Sequence, residues 1–339
     1  VSRRTIRLHT FCSVKGGVGK STLATVCAKL LAARGRVPVL VDCDLTGTSL
    51  ADGLRLRSPA VTLLDDGSIN LEAPPTGEML TVEQTRALRA QRRDALRRDG
   101  QTWRDRPHPP PYFNDPLNYA FLTRRPARVD ALLWRHERDD RVLYLPSSST
   151  HDDVIQSVEW FFGQPFDWAR SLAWTLDGLA QQVPALSDVV VDLPPGIWGL
   201  PHEALVLVST LLREEPMPDD YPPWHAGPIR WVPNPFLVTS RDPNDILPAL
   251  EYVARQRARV STLKPVVNRD TEGLNALRSM ARARVGPLLE AAGLHETIER
   301  VAEMSGLARL FWDGNVTVDE TVDEALREVR KTLRLEEEP

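Results

Sequence analysis

Thr10-Phe11-Cys12-Ser13-Val14-Lys15-Gly16-Gly17-Val18-Gly19-Lys20-Ser21-Thr22 is the stretch whose reading decides the fold. Upstream of it, Ile6, Leu8, Thr10, Cys12 and Val14 alternate with other residues, the pattern of a strand. Downstream, Leu23, Val26, Cys27, Leu30 and Leu31 recur at helical spacing as far as Gly35, a glycine placed to stop a helix. A nucleotide's phosphates need close backbone N–H donors, a cation, and a hydroxyl to hold Mg²⁺. Gly16, Gly17, Gly19, Lys20 and Ser21, with Val18 and Thr22 completing the loop, supply those parts where a helix presents its positive dipole end. The helix leads to Pro38-Val39-Leu40-Val41-Asp42, a short apolar strand ending in acid, so the segment is a βαβ unit with parallel strands.

The same grammar returns downstream. Arg141-Val142-Leu143-Tyr144-Leu145 before Pro146-Ser147-Ser148, Asp188-Val189-Val190-Val191-Asp192 before Pro194-Pro195-Gly196, Pro235 to Thr239 and Leu263 to Asn268 all predict strands. Helical patterns run from Phe166 to Val183 and from Asp245 to Arg257. Strands alternating with helices predict an α/β fold: a doubly wound, mostly parallel sheet flanked by helices in one domain over 1–339. Residues 56–140 interrupt the alternation with an arginine-rich helical stretch from Arg86 to Arg98, prolines from Pro107 to Pro111 and a run of aromatics. That is too long for a routine connection and predicts an inserted, partly helical subdomain. A proline-rich loop covers 214–228. The stretch from Leu274 to Leu335 reads as helical and ends in Glu336-Glu337-Glu338.

The chain has 339 residues, 42% hydrophobic and 26% charged, which fits a globular protein and not a disordered one. Its formal net charge of -4 gives no whole-chain reason for a nucleic-acid or membrane partner. Cys12, Cys27 and Cys43 have no metal-like spacing, and an odd number suits a reducing compartment; they read as small buried hydrophobes. Val1 to Thr5 lead into a strand pattern, not an apolar leader. No stretch approaches the roughly 18 apolar residues of a spanning helix. The expectation is a cytoplasmic protein with no integral membrane association.

The general phosphate-loop pattern G-x-x-x-x-G-K-[ST] would put its first glycine at Val14, and Lys15 follows it. The resulting Lys15-Gly16-Gly17-Val18-Gly19-Lys20-Ser21-Thr22 resembles the deviant Walker A ATPases of the ParA/MinD superfamily, SIMIBI-class P-loop NTPases. That superfamily includes partition ATPases, division-site regulators, and metal-insertion and iron-sulfur carrier ATPases. The resemblance implies ATP and Mg²⁺ as ligands and a homodimer closing around two nucleotides. It assigns Lys15 a role in trans, on the partner's phosphates, where it would act as an arginine finger does. Asp42 and Asp44 resemble the superfamily's Asp-x-Asp switch element. Alternation puts both on one side of the strand; the resemblance implies that Asp44 positions the attacking water, with Asp42 placed to serve the Mg²⁺ shell. Asp192-Leu193-Pro194-Pro195-Gly196 resembles the Walker B strand and switch II, with Asp192 toward Mg²⁺ beside Ser21. Asn268 resembles the position that bonds adenine, and its amide offers the donor and acceptor that base requires.

Branches of the superfamily are separated by what each needs. A C-terminal tyrosine cluster and a Cys-x-x-Cys pair are both missing, which disfavours tyrosine kinases and cluster carriers. The three closing glutamates would be repelled by the anionic membrane that division-site regulators enter through a basic amphipathic helix. Non-specific DNA association through Arg278, Arg282, Arg284 and the stretch from Arg86 to Arg106 is a further expectation. Asp94, Asp99 and Asp105 interleave with that stretch, as on a solvated face. Trp103, Tyr112, Phe113, Tyr119, Phe121 and Trp134 give residues 56–140 either anchors for a protein partner or a core of their own. The expected function is an ATP-dependent dimerising switch that hydrolyses ATP to regulate partner or DNA association, as in partitioning or positioning of cargo. Its alternatives are a nucleotide-switched adaptor or scaffold with little hydrolysis, and a metallo-enzyme maturation ATPase.

Overall fold

Val39 to Val41 and Val189 to Val191 are apolar at every position because both faces of these strands are covered. The computed structural model describes residues 3–45, 50–97, 108–148, 150, 152–155, 167–213, 221, 228–270, 287–288, 290–291, 299–302, 327, 329–333 and 335. In chain order its strands are β1 (Arg4–Ser13), β2 (Pro38–Asp42), β3 (Leu56–Arg57), β4 (Trp134–His136), β5 (Leu143–Leu145), β6 (Asp188–Pro195), β7 (Ile229–Thr239), β8 (Lys264–Asp270) and β9 (Glu299–Ala302). They form one sheet in the order β3-β4-β5-β2-β6-β1-β7-β8-β9. β4 is antiparallel to both of its neighbours and every other pairing is parallel. The helices are α1 (Lys20–Ala33), α2 (Leu50–Gly53), α3 (Val82–Leu96), α4 (Asn114–Thr123), α5 (Asp167–Gln182), α6 (Leu200–Arg213) and α7 (Pro243–Gln256).

The period-two alternation of the strands sorts side chains into two cores. Val39, Val41, Val189 and Val191 pack with Leu117, Leu172, Leu205 and Val253 of α4 to α7. Leu40, Val190 and Phe236 pack on the opposite face with Leu23, Val26 and Leu31 of α1. Cys12, Cys27 and Cys43 are buried free thiols, and desolvation raises all three above the ordinary thiol range, Cys12 to about 12. This is the doubly wound, mostly parallel α/β sheet read from the sequence.

Residues 56–140 are built into the sheet at both ends, since Leu56 pairs with His136 and Trp134 with Tyr144. Phe113 lies in one of the two cores, and Tyr112 and Trp134 in the other. The Trp134 indole donates to the Pro111 carbonyl at 2.7 Å and its ring meets Tyr112 at 5.4 Å. These three aromatics therefore hold the common core and are not surface anchors; Trp103 lies outside the described residues. α3 starts with a Thr81/Gln84 capping box.

Several elements differ from the sequence reading, among them the short α2, β3 and β4, which are too brief to leave a pattern. Glu299–Ala302, within the stretch read as helical, is an edge strand paired with β8. A four-residue run is too short for helical periodicity to separate it from a strand. α6 has no counterpart in the sequence reading, because Pro194, Pro195 and Gly196 just before it read as a turn, although Ala204, Leu205, Leu207, Val208 and Leu211 give it a buried stripe. Most of 274–335, including Arg278, Arg282 and Arg284, lies outside the described residues, as do the tail 336–339 and all of 214–228 but Tyr221 and Pro228. Among the described residues no helix is long and apolar enough to cross a membrane.

Candidate functional site

β6 lies between β1 and β2, so Asp192 pairs in register with Phe11 on one side and with Asp42 on the other. The chain leaves all three strands at the same edge of the sheet, where open α/β folds place their ligands. Two backbone bonds fasten this edge: Cys43 N–H to the Asp192 carbonyl and Gly196 N–H to the Ser13 carbonyl, both 2.8 Å.

From β1 the chain turns through the glycine loop, with Gly17 and Gly19 at φ 79° and 85°. Gly19 is doubly constrained. It caps α1 in the left-handed region, and a Cβ there would lie 2.2 Å from Asn268 Nδ2. α3 and α7 begin with side-chain caps from Thr81 and Asp242, whereas α1 has no side-chain cap and no acid in its first turn. Its leading N–H groups and dipole end are thus left for an anion supplied from outside the helix.

Lys20 is buried and its ammonium is paired with Asp192, with the Ser21 hydroxyl 3.4 Å away. Burial alone would lower its pKa, but Asp192, Asp44 and Asp42 outweigh that and raise it. Asp42 is 1% exposed. Its Oδ1 accepts from Asp44 N at 3.0 Å, and its Oδ2 from Leu50 N and Ser147 Oγ at 2.9 Å each. Desolvation first, then the charge of Asp192, pushes it up to about 7. Asp44 is half-buried, and its carbonyl accepts from Ser147 Oγ at 3.1 Å. One lysine therefore faces a pair of buried carboxylates.

Lys15 stands on the outer side of the loop, 46% exposed, with Nζ 3.2 Å from Asp245 Oδ1 in the first turn of α7. Asp245 Oδ2 accepts from Ser240 Oγ at 2.6 Å. Asn268 is nearly buried and donates from Nδ2 to the Val18 carbonyl at 2.9 Å, tying the end of β8 to the glycine loop. Lys15, Lys20, Ser21, Asp42, Asp44, Asp192 and Asn268 thus all lie on one edge of the molecule. The sequence reading missed Ser147 and Asp245. A hydroxyl directly after a strand end was a readable signal for Ser147, but nothing near Asp245 marked it as a partner of Lys15.

A family profile described as the CobQ/CobB/MinD/ParA nucleotide binding domain matches residues 9–306. The chain belongs to this family. Its fold is shared with a plasmid partition protein from Borrelia burgdorferi B31 bound to AMPPNP, at a TM-score of 0.53 and 11% identity over 98% of this chain and 100% of that one. The cell division ATPase MinD of Pyrococcus furiosus gives 0.53 at 14% identity over 98% and 99%. The ATP complex of a Cyanothece McdA variant gives 0.52 at 12% over 98% and 97%. No significant relative was found among curated protein sequences. In this ParA/MinD-type domain the glycine loop, the paired carboxylates and the uncapped start of α1 share one edge of the sheet.

Proposed function

We propose that this chain is an ATP-dependent dimerising switch that hydrolyses ATP to ADP and phosphate and so regulates its association with partners or DNA, as in the positioning of cellular cargo. The observation that carries the reading is the contrast within one loop: Lys20 buried on Asp192, Lys15 half-exposed on the same edge. A lysine that serves its own nucleotide belongs inside the site. One that serves a second subunit's nucleotide must be reachable from outside.

ATP phosphates would sit on the glycine loop and the first turn of α1, drawing the Lys20 ammonium from Asp192. Ser21 and Asp192 would hold Mg²⁺, with Asp42 one layer out, and the ion would neutralise charge on the phosphate oxygens. Asp42 keeps its place by accepting hydrogen bonds from Asp44, Leu50 and Ser147, the first of which also fixes the chain into Asp44. Asp44 would orient a water in line with the γ-phosphate. The new O–P bond forms as the bond to the β-phosphate bridging oxygen breaks, ADP leaves with that oxygen, and the water's proton departs with the phosphate. Lys15 of the opposing subunit would meet the charge that spreads over the phosphoryl oxygens.

The test is solution mass of the wild type and of Asp44→Ala, each with ATP and Mg²⁺, with ADP and without nucleotide. The expected result is a dimer seen only with ATP, accumulating in the variant as turnover falls. A mass unaffected by nucleotide in both proteins would refute the switch.

A further inference from the structure

Ser13 ends β1 at the entrance to the glycine loop and is 1% exposed. Its carbonyl accepts from Gly196 N–H, but its hydroxyl has no hydrogen-bond partner among the described residues. A buried hydroxyl left unpaired costs stability, so its place needs a reason. Strand alternation fixes the face it occupies. Cys12 and Val14 pack into the core beneath α4 to α7, whereas Phe11 packs into the core beneath α1. Ser13 is therefore on the α1 side, the side that Asp42 and Asp192 share by the same alternation from Leu40 and Val190. It also stands further out. Asp192 is level with Phe11 and Ser13 with Pro195, so Ser13 is two strand positions, about 6–7 Å, nearer the edge than Asp192. The glycine loop covers this level, since a Cβ on Gly16 would lie 3.9 Å from Pro195 Cγ.

We propose that Ser13 is a positioning residue: its hydroxyl oxygen accepts a hydrogen bond from the Lys20 ammonium once a nucleotide's phosphates have drawn that group off Asp192. The inference rests on the nucleotide reading of this edge. In the free chain Lys20 is paired with Asp192 and has the Ser21 hydroxyl, at 3.4 Å, as its other acceptor. Phosphates on the glycine loop lie outward of Asp192, so an ammonium that moves to them travels toward the level of Ser13 on the same face of the sheet. An ammonium carries three donors. Phosphate oxygens take those that point outward, and one that points back at the strands needs an acceptor there. The hydroxyl of Ser147, beyond the end of β5, is already engaged by Asp42 Oδ2 at 2.9 Å and the Asp44 carbonyl at 3.1 Å. A hydroxyl idle in the free chain and paired in the bound one puts its whole hydrogen bond into nucleotide affinity.

The test uses the full chain, calorimetric titration with ADP and Mg²⁺, and urea unfolding without nucleotide. Ser13→Ala should bind ADP roughly tenfold more weakly than the wild type, the size of one hydrogen bond to a charged group. Its unfolding midpoint without nucleotide should stay the same or rise, because the change leaves no partner stranded. Ser13→Cys keeps the volume and offers only a weak acceptor, so the same loss of affinity is expected. Wild-type ADP affinity in Ser13→Ala overturns the proposal. So does a lowered unfolding midpoint in that variant, which would mean that the hydroxyl already serves the free fold, and so does wild-type affinity in Ser13→Cys, which would make the effect one of volume. A wild type that fails to bind ADP would overturn the nucleotide reading itself, and this inference with it.

Discussion

Lys15 and Lys20 stand at opposite ends of one glycine loop, each paired with an aspartate, in opposite surroundings. Lys20 is 6% exposed on a 2% exposed Asp192, while Lys15 is 46% exposed on a 22% exposed Asp245. The buried pair balances charge that has no water to turn to, so removing the lysine strands its partners. The half-exposed pair lies in solvent, where an ion pair is worth about 0–1 kcal/mol and either member can exchange partners at small cost. The residue type is the same at the two ends. Burial makes one lysine a fixture of the site and the other a group that can leave.

The largest expected effect tests that difference directly. Lys20→Met should lose about 3–5 kcal/mol of stability, because Asp192 and Asp42 are left buried against each other, and nucleotide binding should go with it. Lys15→Met should stay within about 1 kcal/mol of wild type and keep its nucleotide. Urea unfolding and nucleotide titration on both variants check this. Equal destabilisation at the two ends would break the comparison.

Next in size is the loop between them. Gly19→Ala combines a left-handed φ of 85° with a Cβ 2.2 Å from Asn268 Nδ2. A cost of about 1–3 kcal/mol is expected. Asn268→Ala in the same background should return only part of it, since removing the amide relieves the contact and leaves the backbone strain. A double-mutant cycle measured by unfolding separates the two; full recovery would mean that the backbone at Gly19 tolerates a side chain.

The inner end also has a pH signature. Asp42, at about 7 in the folded chain and near 3.9 unfolded, is raised by folding. Its contribution is therefore fully present below pH ~4 and is lost as pH rises through 7. Between pH 6 and 8 the wild type should lose about 1 kcal/mol relative to Asp42→Asn in the absence of nucleotide. His9, His136 and His202, all lowered chiefly by burial, act in the opposite direction and cancel in that difference. Parallel unfolding curves for the two proteins at both pH values would show that Asp42 is charged throughout.

How much of this was legible follows from what each part depends on. The glycine loop, β1, α1, β2 and β6 declare themselves locally, because phosphate-loop chemistry and wholly buried strands leave short, dense patterns. The adjacency of Asp42 and Asp192 does not: β6 enters between β1 and β2 from far along the chain, and only the sheet order makes the two carboxylates neighbours. The Lys15–Asp245 pair is hidden in the same way. The aromatics of 56–140 read equally well as anchors or as core, since composition does not say which side of a surface a ring occupies. Packing places Tyr112, Phe113 and Trp134 inside. Asn268 reads as a base-binding position mainly by resemblance, and in the structure its amide holds the Val18 carbonyl.

The smallest expected effect lies at the outer end of the loop. Asp245→Asn removes the charge that faces Lys15 while keeping an acceptor for Ser240, so the melting temperature should move by no more than about 1 kcal/mol equivalent. If Lys15 serves the opposing subunit, it must leave Asp245 before it can do so, and the monomer is favoured by whatever that pair contributes. The variant should then dimerise a few-fold more readily with ATP and Mg²⁺, as sedimentation across protein concentrations would show; 1 kcal/mol corresponds to about fivefold in an equilibrium constant. Weaker dimerisation would place Asp245 among the groups that hold Lys15 in its working position. Unchanged dimerisation would mean that the lysine's departure from Asp245 costs nothing measurable, and that the outer ion pair is a surface contact with no part in the switch.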